Sequence, residues 1–273
     1  MNPILTKNEL KPAWPLFIVG SPRSGTSVLI DAAYAAGYSG FREGNLLGLL
    51  HPLHETVDVY FKRFSTENPK VLMSQVRPGD FHDAILGIFK QTLDSLNPES
   101  PWVDKTCNWP TIMELPRIVS LWPESRVIFA KRRGIENVRS RLVKFPARDF
   151  TYHCRDWAST MSAWRATRER LDPARYVEID QFDLLLDPAG VAKRIASLLS
   201  LNADAEARVA NAFITLRSQE TAPGTAQSRG SLDDGHWTKS QVEEFLTLCE
   251  AEMRLFGYTS DLTYRNTHPD SDQ

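Results

Sequence analysis

The segment Gly20-Ser21-Pro22-Arg23-Ser24-Gly25-Thr26-Ser27 is the part of this chain best equipped to do chemistry. Two glycines with four residues between them, in a loop that joins a short strand to a helix, let backbone N–H groups and the helix N-terminus converge on one anion. The spacing, Gly-x-x-x-x-Gly-x-Ser, is that of a phosphate-binding loop. An NTP hydrolase or kinase places Lys directly after the second glycine; here that position is Thr26, and the cation has moved inside the loop as Arg23. Such an enzyme also holds Mg²⁺ on an acidic strand end. In this chain the clearest strand, Arg126 to Ala130, runs instead into Lys131-Arg132-Arg133. Asp104 and Asp180 each follow a weaker strand and are the substitutes that a metal-dependent phosphoryl transfer would use. The loop favours handling a phosphate-like group without a metal; a nucleotide kinase, a catalytically silent nucleotide-binding module and a ligand-free structural turn are the alternatives.

A second cluster lies farther along. Arg132 closes the strand Val127 to Ala130, and Ser140 lies eight positions later on the helix that follows. Lys144 is spaced i, i+4 from Ser140, so a hydroxyl and an ammonium share one helix face, which Arg132 approaches from the strand end. These three can meet one anion. Arg133, Arg139 and Arg141 crowd the same segment, and a basic helix face turned to water is the competing reading.

Positioning these groups falls to alternating short strands and helices. Leu16 to Val19 is a β-rich apolar run that stops at Gly20, and Ser27 to Ala36 reads as a helix ended by Gly37. Leu46, Leu50, Leu53, Val57, Tyr60, Phe61 and Phe64 recur at helical spacing, with a break or kink expected at Pro52. A second helical run carries Phe81, Ile85, Ile88, Phe89 and Leu93. Pro101-Trp102-Val103 reads as a short strand before Asp104-Lys105-Thr106, followed by a helix from Ile112 to Leu121 and the strand Val127 to Ala130. Helices Ile135 to Lys144 and Asp149 to Leu171, a strand Tyr176 to Ile179, and helices Ala189 to Leu199, Ala203 to Arg217 and Lys239 to Phe256 complete the pattern. Strands this short alternating with helices predict an α/β fold whose parallel sheet is covered on both faces. Between Gln219 and Gly235 the composition predicts a long loop, and Gly257 to Gln273 a polar, mobile tail.

With 273 residues, one domain is expected, with a core over about 14–257, a helical insertion over about 45–95 and the tail at 258–273. Lys plus Arg number 32 against 34 Asp plus Glu, a net charge of −2 that gives no reason to expect nucleic acid or an anionic membrane as a partner. The apolar run Leu46 to Leu50 is far short of the ~20 residues of a membrane span, and the polar N-terminus holds no signal-peptide core. A soluble, cytoplasmic protein is the expectation. Cys107, Cys154 and Cys249 are odd in number and outside metal-ligand spacing, so reduced thiols and no metal site are expected.

The loop sequence Pro22-Arg23-Ser24-Gly25-Thr26-Ser27 resembles that of the sulfotransferases that use 3′-phosphoadenosine 5′-phosphosulfate, PAPS, in the branch with Arg in the loop, which includes tyrosylprotein-type and bacterial members. The resemblance implies a P-loop-like, three-layer α/β fold, a loop that holds the 5′-phosphosulfate, and no metal. It implies that Arg23 stabilises the leaving phosphate oxygens while Ser21, Pro22, Ser24, Gly25, Thr26 and Ser27 line the 5′-phosphate. Arg132 and Ser140 match the family's grip on the 3′-phosphate, with Lys144 as the basic residue some members add a turn later. Ser228-Arg229-Gly230 resembles, more loosely, a late Arg-Lys-Gly segment, which makes Arg229 and Gly230 further nucleotide contacts. The stretch Tyr176 to Pro188 resembles a Tyr-Glu-Asp-Leu…Asp-Pro segment whose Tyr is replaced by Ile179 or Gln181.

Sulfuryl transfer needs a base, because a hydroxyl acceptor is a poor nucleophile at neutral pH. Glu43, in Gly40-Phe41-Arg42-Glu43-Gly44 and twenty residues after Arg23, is the candidate; in the Arg-loop branch a Glu at comparable separation is the base. An ion pair with Arg42 is the structural alternative for Glu43, and His51 and His54 are alternative bases. Trp102-Val103-Asp104-Lys105-Thr106 resembles the Asp-Lys-Thr segment of many bacterial and Golgi-type members and implies that Lys105 brings a second positive charge to the sulfuryl group, with a surface pair to Asp104 as its alternative. Asn108 and Trp109 are expected beside it. Phe41, Tyr60, Trp102, Trp109 and Phe145 are candidates to line a pocket for a small-molecule or carbohydrate acceptor, or else belong to the core.

Overall fold

The computed structural model describes residues 14–97, 101–215 and 229–266. Five strands, β1 (Leu16–Gly20), β2 (Ser39–Phe41), β3 (Trp102–Thr106), β4 (Arg126–Lys131) and β5 (Tyr176–Asp180), form one parallel sheet in the order β2-β3-β1-β4-β5. All five residues of β1 are buried, which is why Leu16-Phe17-Ile18-Val19 reads as a continuous apolar run rather than an alternating one.

Successive strand side chains enter opposite layers. Phe17, Val19, Val127 and Phe129 pack with α4 (Trp109–Leu121), α6 (Phe150–Arg168) and α10 (Lys239–Leu255) through Ile112, Leu115, Trp157, Trp164 and Phe245. Leu16, Ile18, Val103 and Ile128 pack with α1 (Thr26–Ala35), α8 (Pro188–Leu199) and α9 (Ala203–Thr215) through Leu29, Ile30, Ile195 and Val209. The result is the expected three-layer α/β fold. The helical pair α2 (Leu50–Phe64) and α3 (Pro78–Leu96) adds to the α4 side through Leu86, Phe89 and Leu93. Helix α5 (Gly134–Lys144) follows β4, and α7 (Gln181–Leu186) follows β5. Among the described residues no helix is long and apolar enough to cross a membrane. The three cysteines are free thiols.

Several elements differ from the sequence expectation. Strand β2 was not foreseen: its three exposed residues have no apolar pattern, and it exists because it pairs with β3. Strand β3 extends through Asp104-Lys105-Thr106, because backbone pairing with β1 outweighs two charged side chains. Pro52 does not break α2; a 3₁₀ turn over Leu46–Leu49 leads into a helix whose first turn contains the proline, where its missing N–H costs nothing. Of the long loop, 216–228 lie outside the described residues. The expected mobile tail is packed as far as 266: the Tyr258 and Tyr264 hydroxyls donate to the buried Asp180 carboxylate at 2.7 and 2.8 Å, and Arg133 donates to the Thr259 carbonyl at 3.0 Å. A buried carboxylate requires such donors, and the two tyrosines supply them from a segment that composition alone marks as polar.

Candidate active site

Because β1 lies between β3 and β4, the segments that leave these three strands meet at one edge of the sheet, the usual position of a ligand crevice in an open α/β fold. Gly20 begins the loop at φ 148°, and a Cβ there would lie 2.2 Å from the Ala130 carbonyl oxygen, so a side chain would force β1 and β4 apart. Arg23 adopts φ 72°, a left-handed conformation that few residues with side chains take. Two contacts hold it: Arg132 Nη1 donates to the Arg23 carbonyl at 3.1 Å, and Arg23 Nε donates to Ser140 Oγ at 2.9 Å. Arg132 and Ser140, distant from the loop in sequence, thus both contact it.

Two residues that the sequence reading did not single out support the loop from α5. Asn137 Nδ2 donates to the Pro22 carbonyl at 2.9 Å and to Ser24 Oγ at 3.0 Å, while Ser21 Oγ donates to Asn137 Oδ1 at 3.2 Å. Arg141 Nη1 donates to Ser21 Oγ at 3.0 Å, and its other nitrogens engage His153 and Asp156. The signal available in the sequence was spacing: Asn137 precedes Ser140 by three positions and so shares its side of the helix. The side chains of Ser21 and Ser24 are thus engaged by α5, and within the loop the Ser24 N–H donates to the Ser21 carbonyl at 3.2 Å. On the α1 side, Cys107 Sγ donates to Thr26 Oγ1 at 3.3 Å, and Ser27 is half-buried.

A basic face turned to water does not describe α5. Arg133 is fully buried and binds Glu136; Arg141 is 3% exposed; Arg139 pairs with Asp234 at 2.6 Å. Arg132 is different. Among the described residues it has no carboxylate in ion-pair contact, and its Nε, like that of Arg139, is buried without a hydrogen-bond partner. Burial draws its guanidinium below the ordinary value, and burial followed by the Arg132 charge does the same to Arg23. Two half-buried guanidinium groups side by side are what an anion site requires. Lys144 is exposed in the last turn of α5.

Arg229 lies with its guanidinium 4.7 Å above the Phe182 ring and donates to the Leu262 carbonyl at 3.3 Å. Both backbone groups of Gly230 are used internally: its N–H donates to Glu136 at 2.9 Å, and its carbonyl accepts from Arg133 at 2.6 Å. Ser228 lies outside the described residues.

Glu43 and Lys105, 62 positions apart, meet at the end of β3, with Lys105 Nζ donating to Glu43 Oε1 at 2.5 Å. The alternative partners are excluded: Arg42 pairs with Asp31, and Lys105 is 3% exposed rather than on the surface. His54 is buried, with Nδ1 2.9 Å from the Glu114 carboxylate, and burial lowers its pKa; His51 Nδ1 lies 3.1 Å from the same carboxylate. Trp102 belongs to the core, packed edge-on against Phe17, whereas Phe41, Tyr60 and Phe145 are exposed and Trp109 is half-buried beside Asn108 and the His51 ring. Asp104 packs against Gly44, and Asp180 is occupied by the two tyrosines, so both strand-end acids that a magnesium site would draw on are committed elsewhere.

Asp104 is 5% exposed, and burial raises its pKa to about 6. The folded chain thus favours the protonated carboxyl. The stability this group contributes is present below about pH 4 and is lost as pH rises through about 6. Asp104→Asn keeps an acceptor without the charge and is expected to stabilise the protein at pH 8 by up to about 3 kcal/mol, a gain that disappears near pH 4. Thermal melts at the two pH values check this, and an equal gain at both would refute it.

Taken together, the sheet, the glycine-bounded loop and the two arginines define an α/β group-transfer domain of the phosphate-loop type, with arginine in place of the loop lysine. The sulfotransferase family model matches residues 15–205, more than half of the chain, and the chain belongs to that family. Among solved structures, sulfotransferase STF9 from Mycobacterium avium is 14% identical with a TM-score of 0.55, over 94% of this chain and 79% of that one. The sulfotransferase domain of the Synechococcus PCC 7002 olefin synthase is 16% identical with a TM-score of 0.52, over 93% and 98%. Mouse sulfotransferase SULT7A1, complexed with PAP, is 14% identical with a TM-score of 0.51, over 88% and 85%. At these identities the likeness is one of fold. No curated protein sequence matches the chain.

Proposed function

We propose that this enzyme transfers the sulfuryl group of PAPS to a hydroxyl group of a small-molecule or carbohydrate acceptor, releasing adenosine 3′,5′-bisphosphate, PAP. The observation that carries the reading is Arg132: a half-buried guanidinium whose buried Nε is orphaned and which has no ion-pair partner among the described residues, joined through Arg23 to the glycine-bounded loop. Leaving such a group unpaired is costly, and a second phosphate of the donor satisfies it. The PAP carried by mouse SULT7A1, which shares the fold, supports the same donor.

On this reading the loop from Ser21 to Ser27 holds the 5′-phosphate, Arg132, Ser140 and Lys144 hold the 3′-phosphate, and Arg229 and Gly230 border the nucleotide. The donor supplies an activated sulfuryl group whose leaving group is a phosphate oxygen. Glu43 takes the proton of the acceptor hydroxyl as the oxygen–sulfur bond forms. The sulfur–oxygen bond to the 5′-phosphate breaks, its electron pair stays on the phosphate oxygen, and Arg23 stabilises the charge that gathers there. Lys105 holds Glu43 at the strand end and brings a second positive charge. The whole chain acts as one domain, with α2 and α3 as the insertion on the acceptor side.

Nucleotide choice tests the proposal. PAP is expected to bind more than tenfold tighter than 5′-AMP, since each charge-assisted hydrogen bond to the 3′-phosphate contributes roughly 1.5–3 kcal/mol. Arg132→Ala is expected to weaken PAP far more than 5′-AMP, which separates loss of the 3′-phosphate contact from general loosening. Calorimetric titration decides it; equal affinities for the two nucleotides in the unaltered enzyme would sink the assignment.

A further inference from the structure

We infer that Asp104 and Thr106 are positioning residues that seat the loop bearing Glu43, an inference that rests on the reading of Glu43 as the base. Strand register brings the two segments together: Phe41 lies beside Asp104, so the chain from Arg42 to Asn45 leaves β2 across the end of β3. Three contacts then fix it. The Gly44 N–H donates to the Lys105 carbonyl at 3.0 Å, the Asn45 N–H donates to Thr106 Oγ1 at 3.0 Å, and Thr106 Oγ1 donates to Asp104 Oδ1 at 2.8 Å.

The order of these bonds matters. A hydroxyl has one proton, and by giving it to Asp104, Thr106 is left with lone pairs aimed at the Asn45 N–H. Asp104 also sets the depth of the loop: a Cβ on Gly44 would lie 1.7 Å from Asp104 Oδ2, so only a residue with no side chain lets the backbone come this close. Asn45, at φ 56°, turns the chain away immediately afterwards. The Glu43 side chain is itself 59% exposed and packs against little, so its backbone must be held if its carboxylate is to return to one place. Three consecutive residues of β3 thus act together on this loop, for Lys105 pairs with the carboxylate while Asp104 and Thr106 anchor the two residues that follow it.

The test compares Thr106→Val, Thr106→Ser, Gly44→Ala, Glu43→Gln and the double variant Glu43→Gln with Thr106→Val. The readouts are amide hydrogen exchange at Gly44 and Asn45, calorimetric PAP affinity, and turnover of PAPS with 4-nitrophenol as the hydroxyl acceptor. In Thr106→Val, Asn45 is expected to exchange at least about tenfold faster and kcat to fall about tenfold or more, with PAP affinity unchanged. Thr106→Ser, which restores the hydroxyl, is expected to recover both. Gly44→Ala, which changes no residue of β3 but sets a Cβ against Asp104, reaches the same loss, should the valine variant fold poorly. The double variant is expected to be no slower than Glu43→Gln alone, because Thr106 acts through Glu43. Unchanged Asn45 exchange in Thr106→Val, or a double variant slower by the full factor of the valine substitution, would overturn the inference while leaving Glu43 as base. A fully active Glu43→Gln enzyme would remove the base and this inference together.

Discussion

Glu43→Gln is expected to lower sulfuryl transfer by about 10²–10⁴-fold while PAP affinity stays near that of the unaltered enzyme. Glutamine keeps the size of the side chain and one acceptor oxygen toward Lys105, but it cannot take a proton. The prediction draws on placement: Glu43 is held to buried Lys105 at the carboxyl end of β3, next to the strand that leads into the phosphate loop, and half of its side chain remains open to an incoming acceptor. A loss confined to kcat identifies a group used after the nucleotide is bound. A parallel loss of PAP affinity would indicate that Lys105, released from its partner, has disturbed the nucleotide site instead. Full activity would move the search for the base to His51, which is held by Glu114 near Trp109.

Arg23→Ala is expected to cost about 10²-fold or more in turnover, because a positioned cation stabilises charge that exists only as the sulfur–oxygen bond breaks. Arg23→Lys is the informative companion. Lysine retains the charge but lacks the planar fork, and it has no Nε–H to reproduce the 2.9 Å contact with Ser140. Partial recovery is expected, well short of the native rate. Turnover, PAP affinity and melting temperature measured together separate the contributions: a folded Arg23→Ala variant with near-normal turnover would mean that the loop binds the nucleotide but does not assist transfer.

Much of this protein was legible before any fold was known, for identifiable reasons. The phosphate loop is local: its glycines, its arginine and the helix start lie within eight residues, so spacing alone specifies backbone geometry and charge. The spacing of a strand end and one helix face also named Arg132 and Ser140, which both contact Arg23, and Lys144, which is exposed at the end of α5. The strand-and-helix order gave the three-layer fold, because buried parallel strands are continuous apolar runs and the helices show apolar periodicity. Glu43 and Lys105 were named from motif resemblance, which identifies residues but not their distance.

Contacts between residues far apart in the chain needed the folded molecule. Whether the arginines between β4 and the end of α5 face water could not be read from their spacing; the partners of Arg133, Arg139 and Arg141 (Glu136, Ser21, Asp156 and Asp234) are contributed by four different segments, while Arg132 beside them has no carboxylate in ion-pair contact among the described residues. The tail around Tyr264 reads as polar and mobile until Asp180, 84 positions away, is found to require its hydroxyl. Strand β2 has no hydrophobic pattern of its own and is called into existence by the edge of β3, and with it comes the seat of Glu43. The loop, the class of fold and the identity of the charged residues were readable from the chain alone, because those follow from local geometry and burial. Which charges are neutralised was decided by the fold, since neutralisation depends on partners that only the folded sheet brings within hydrogen-bonding distance.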